Sequence, residues 1–117
     1  MALLDRQSIL TADDLGRELV TIPEWGGDVY VSEMTAAERD AFEAEWLKNK
    51  EDGTETINLR ARLVARVLCS DSGERIFTDS DADALGRKSA AVVDRLFAVA
   101  QRLNGMSAAD VEQLEKN

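Results

Sequence analysis

Leu19-Val20-Thr21-Ile22-Pro23-Glu24-Trp25-Gly26-Gly27-Asp28-Val29-Tyr30-Val31 is the stretch that decides the fold. Two runs rich in β-branched residues flank a Gly-Gly turn, which predicts a β-hairpin. Strand alternation puts Val20 and Ile22 on one face, and Val29 and Val31 on one face of the return strand. Pro23 has no N–H for a ladder, so it belongs at the strand end or on an edge.

Helical signals follow the hairpin. Thr35-Ala36-Ala37-Glu38 matches a capping box, and the helix it opens carries Phe42 and Trp46 four residues apart. That helix should fade near Asn49, ahead of a loop at Glu51-Asp52-Gly53-Thr54. From Asn58, Leu59, Leu63, Val64, Val67 and Leu68 form an apolar stripe, with Cys69 on the same helix. Ser70-Asp71-Ser72-Gly73 turns the chain into a short extended piece, where Ile76 or Phe77 reaches the core. Thr78-Asp79-Ser80-Asp81 then caps a short helix that stops near Gly86. The strongest pattern begins at Ser89. Val92, Val93, Leu96, Phe97, Val99, Ala100 and Leu103 repeat at three and four, and Asn104-Gly105 closes the helix. Ser107 to Asp110 caps a last turn, and residues 107–117 are expected to be a frayed C-terminal segment.

On the N-terminal side of the hairpin, residues 1–16 are Leu-rich and then acidic. Asp5 caps a turn through Ile9 and Leu10, and Thr11 caps a second turn ended by Gly16. No repeat or Pro-rich linker divides the chain. The expectation is therefore one α+β domain over residues 1–117, mainly helical, with an N-terminal β-hairpin.

The 117 residues carry 23 acids against 14 bases, a net charge of −9. Nonspecific nucleic-acid binding depends on Lys and Arg neutralising phosphates, so nucleic acid is not an expected partner. Anionic membranes are disfavoured for the same reason. No apolar run is long enough to span a bilayer, and no signal peptide opens the chain. There are no histidines, which excludes Ser-His-Asp and Cys-His catalysis and His-containing zinc sites. The lone Cys69 reads as a buried, inert thiol. Asp79, Asp81 and Asp83 resemble the start of a calcium loop, but positions six and twelve hold Ala84 and Ala90 instead of Gly and Glu. Arg60, Arg62 and Arg66 read as a solvated helix face, or as partners for the acidic N-terminus. No catalytic, cofactor or metal site is expected, and a binding or assembly role is favoured over an enzyme.

Ile22 to Val31 followed by Glu33-Met34-Thr35-Ala36-Ala37-Glu38-Arg39-Asp40 resembles the tail assembly chaperones of long-tailed, siphovirus-type bacteriophages and prophages. Asn58 to Val64, Asp71 to Asp79, Leu85-Gly86-Arg87-Lys88-Ser89 and Ala100 to Gly105 extend the resemblance, in order, over nearly the whole chain. It implies a protein that binds the tape measure protein and keeps it soluble in the host bacterial cytoplasm while the tail tube polymerises, and that is absent from the mature virion. It also implies a programmed frameshift. This chain would be the short form, partnered by a frameshifted long form that recruits the tail tube protein, and self-association into a homo-oligomer is expected. A head–tail completion or minor tail protein of the virion is the alternative.

The resemblance carries no site residues over. The residues themselves point to Trp25, at an exposed turn, and to Val92, Leu96, Val99 and Leu103 on the apolar stripe as the partner-binding candidates; part of that stripe must form the domain's own core, so only its excess could serve a partner.

Overall fold

The computed structural model describes residues 2–51 and 58–116. Helix α1, Arg6–Thr11, comes first. The hairpin follows as β1, Arg17–Ile22, and β2, Gly27–Ser32, joined by a 3-10 turn over Pro23–Trp25. Then come α2, Ala36–Glu51, α3, Leu59–Val67, and a two-residue strand β3, Leu68–Cys69. The chain finishes with α4, Ala82–Leu85, α5, Ala90–Leu103, and α6, Ala108–Lys116.

The hairpin forms as its residues require. Leu19 pairs with Tyr30 and Val20 with Val29, so the alternation sorts Val20, Ile22, Val29 and Val31 onto one face. Gly26 adopts φ +79°, a left-handed conformation that costs glycine little, and it closes the 3-10 turn. Pro23 occupies the first position of that turn, where no ladder N–H is needed.

Four helix starts share one device. Asp5 with Ser8, Thr35 with Glu38, Thr78 with Asp81 and Ser107 with Asp110 each exchange side-chain and backbone hydrogen bonds three residues apart. Each box satisfies N–H groups that a helix N-terminus leaves free. The Ser8 hydroxyl and amide, acting on Asp5, hold its carboxyl below the usual range, and Ser107 does the same to Asp110.

The core lies between the inner face of the sheet and the helices. Leu63, Val64, Val92, Leu96 and Val31 are fully enclosed. Phe42 and Trp46 close it from α2. Asn104, at the end of α5, works as a clasp. Its Oδ1 accepts from Met34 N at 2.7 Å, and its Nδ2 donates to the Ala100 carbonyl at 2.9 Å. It thereby ties the exit of β2 to the end of α5. Gly86 leaves room for the Asn58 side chain, because a Cβ there would stand 2.9 Å from Asn58 Nδ2.

Several expectations are corrected. Leu68 and Cys69 are not helical. They leave α3 and pair with Val31 and Tyr30, adding a third strand to the hairpin in the order β1-β2-β3. The turn over residues 70–73 brings Arg75 back beside Cys69, and an apolar run read at helical spacing cannot reveal that pairing. Thr11 caps no second turn. Its hydroxyl bonds back to the Gln7 carbonyl at 2.8 Å, and residues 12–16 are not helical. The C-terminal segment holds the helix α6, Ala108–Lys116. Val111 and Leu114 pack on the core, and Trp46 Nε1 donates to the Leu114 carbonyl at 2.7 Å. Of the two residues expected to reach the core, Phe77 packs against it and Ile76 is half-exposed. Arg62 and Arg66 reach Glu45, Arg66 also reaches Asp79, and Arg60 reaches Asp94, so among the described residues none of the three pairs with the acidic N-terminus. The expected loop at Glu51-Asp52-Gly53-Thr54 falls mostly on residues 52–57, outside the described residues.

Candidate partner-binding surface

The hairpin is fastened along α5 by two forked ion pairs. Arg95 donates to both oxygens of Glu24 at 3.0 and 2.7 Å, and Arg102 to both oxygens of Glu18 at 2.8 and 2.7 Å. Residues 95 and 102 lie two helical turns apart, on one face of α5. Arg95 holds the Glu24 carboxyl at about 2, well below its ordinary 4.5. Trp25, next to this anchor, is 37% exposed.

The stripe candidates have a different fate from Trp25. Val92 and Leu96 are 0% exposed, enclosed by the rest of the core. Val99 and Leu103 are half-buried and pack against that core. Val92 and Leu96 are thus the part of the stripe that forms the domain's own core, and Val99 and Leu103 are its partly exposed members. The strong amphipathic repeat that made the stripe conspicuous is the property that buries it inside its own domain.

Apolar surface is exposed elsewhere. Nine large apolar side chains are exposed among the described residues, and seven lie within the first 25 positions: Leu3, Leu4, Ile9, Leu10, Leu15, Leu19 and Trp25. Helix α1 buries none of its residues. Apolar surface that a domain's own core does not enclose is a candidate interaction surface. Residues 2–15 form an exposed arm ahead of β1, and Trp25 marks the opposite end of the hairpin. Reasoning from periodicity missed the arm because its apolar residues follow no repeat. Their signal was the absence of any facing stripe to receive them.

No cluster of three metal-ligating side chains occurs among the described residues. A cleft of about 480 Å³ is lined by Trp46, Leu59, Val93, Arg60 and Asp94, but Arg60 and Asp94 pair with each other at 3.2 Å across its charged rim. Cys69 is buried. No helix among the described residues is long and apolar enough to cross a membrane.

Comparison with known proteins gives two matches. A family model described as phage tail assembly chaperone matches residues 6–117. The solved structure of the bacteriophage HK97 tail assembly chaperone superposes with a TM-score of 0.59 at 19% identity, covering 83% of this chain and 90% of that one. At that identity the likeness is one of fold. No curated protein sequence matches.

Proposed function

The chain belongs to the phage tail assembly chaperone family, and from that premise we propose that it binds the tape measure protein and keeps it soluble while the tail tube polymerises around it. The observation that carries this reading is the concentration of exposed apolar side chains in the arm and hairpin, seven of nine within the first 25 residues. A holding chaperone needs apolar surface that its own core does not consume. It also needs to stay soluble while offering that surface, and a net charge of −9 serves that end.

The chain acts by binding, not by catalysis, in the host bacterial cytoplasm, and it is absent from the mature virion. It is the short product of a programmed frameshift. The long form carries the same domain and recruits the tail tube protein through its extension. Leu3, Leu4, Ile9, Leu10 and Trp25 contact the tape measure.

The test is co-expression of the full chain with the tape measure protein encoded alongside it, followed by purification of the soluble fraction. Joint purification is the expected result. A tape measure that stays insoluble with both the short and the long form present would overturn the reading. Mass spectrometry of purified particles should detect no copies of this chain. Copies in the particle would favour a head–tail completion or minor tail protein.

A further inference from the structure

The strand β1 ends the sheet, and its outer edge is open. Gly16 accepts a hydrogen bond from Glu33 N at 2.9 Å, and the pairs Glu18 with Val31, Val20 with Val29 and Ile22 with Gly27 continue in the same phase. Alternate residues of an antiparallel ladder turn their N–H and C=O groups toward the partner strand. Arg17, Leu19 and Thr21 therefore point theirs away from β2, and among the described residues nothing hydrogen-bonds to them.

Nothing on the strand blocks that edge. Natural edges are blunted by proline, bulges, lysines or a covering element. Here β1 keeps regular register over all six residues, and Pro23 follows only after the strand has ended. The outer face carries the cross-strand row Leu19, Tyr30 and Cys69, with Leu19 52% exposed. The Arg17 guanidinium lies over the Tyr30 ring at 4.7 Å and leaves Leu19 uncovered.

Charge selects the occupant. Asp13 and Asp14 precede the edge, and Asp28 stands across from Thr21; none of the three has an ion pair among the described residues. A second copy would bring the same carboxylates and another −9 to the same edge. We infer that the β1 edge receives an extended, basic segment of a partner as a fourth strand, with an apolar side chain against Leu19 and Lys or Arg near Asp13, Asp14 and Asp28.

The inference rests on the chaperone reading, which makes that segment part of the tape measure protein. Main-chain hydrogen bonds supply the affinity in strand addition, and alternate side chains supply the selectivity. An edge of this kind accepts many stretches of a long partner that share little more than charge and alternation.

Proline separates this edge from the fold. Leu19→Pro with Thr21→Pro deletes two outward N–H groups and none that face β2, and proline is tolerated on an edge strand when its missing N–H points to solvent. In co-purification, the full chain with both changes should keep its melting temperature and lose about tenfold or more in tape measure retention, as expected for two ladder hydrogen bonds removed. Amide exchange on the unmodified complex gives a second readout that needs no variant. The Leu19 and Thr21 amides should exchange rapidly in the free chain and slowly in the complex.

Retention unchanged by the two prolines, or edge amides that exchange in the complex as they do in the free chain, would overturn the inference and leave the chaperone reading intact. Edge amides protected in the free chain as its concentration rises would give the edge to a second copy and overturn it as well. No binding by the unmodified chain, with the long form also present, would overturn both readings.

Discussion

The N-terminal arm and the central helix are both rich in large aliphatic residues, yet they end in opposite environments. Residues 2–15 present Leu3, Leu4, Ile9, Leu10 and Leu15 to solvent. In α5, Val92, Val93, Leu96, Phe97 and Ala100 are buried. The difference is one of period and length. The α5 residues recur at three and four over 14 positions, so one continuous stripe meets α3 and the sheet. The arm has only a six-residue helix, too short to be stable by itself, and its leucines fall on no common stripe. Apolar content alone therefore does not tell a core from a docking surface. Here the regular stripe is absorbed by its own domain, and the irregular apolar residues stay in solvent.

Substituting Leu96→Ala should break this contrast most visibly. Leu96 is completely enclosed, and the cavity should destabilise the domain by about 2–5 kcal/mol in urea unfolding. Deleting residues 2–15 should change stability by no more than about 0.5 kcal/mol, as for other surface changes. A deletion as costly as Leu96→Ala would show that the arm belongs to the core.

Asn104→Ala tests how the two halves are joined. It leaves the Met34 N–H without its acceptor, and the cost should be about 1–3 kcal/mol, read from the thermal midpoint. A smaller loss would mean that water replaces the amide at the clasp.

Polar substitutions in the arm sharpen the functional side of the comparison. Ile9→Ser with Leu10→Ser should leave the unfolding midpoint within about 0.5 kcal/mol of the parent while reducing tape measure retention. Trp25→Ala should act in the same direction from the other end of the hairpin. Retention unchanged by either variant would remove the arm or the hairpin tip, respectively, from the binding surface.

The smallest effect concerns pH. The Glu24 carboxyl is depressed in the folded chain to about 2 from 4.5. Its contribution is therefore fully present above pH 4.5 and is lost as the pH falls toward 2. The pair is exposed, so the change should be local and sensitive to salt. The Trp25 indole resonance of the folded chain should shift with a midpoint near pH 2 and not near 4.5, and Glu24→Gln should remove the shift. An unaltered shift in Glu24→Gln would assign it to another group.

Much of the fold was readable because its signals are local. The Gly26-Gly27 turn, the capping pairs at Asp5, Thr35, Thr78 and Ser107, and the stripe of α5 each depend on residues within a few positions of one another. The candidate surface was less readable. Trp25 is exposed at its turn, while amphipathic spacing shows that the face holding Val92 and Leu96 is apolar but not which of its residues the domain's own core encloses. The arm escaped notice for the converse reason: exposure is a property of what fails to pack.

By itself, then, the sequence determined the elements: where strands turn, where helices start, and which face of each is apolar. These follow from backbone propensity, side-chain period and short-range hydrogen bonds, all of which act within a single element. Only the tertiary structure decided the pairing of Leu68 and Cys69 with β2, the docking of α6 through Trp46 and Leu114, and the open edge of β1. Each of these joins groups far apart in the chain, or leaves a group with no neighbour. Both outcomes depend on which surfaces meet once all the elements compete for one core.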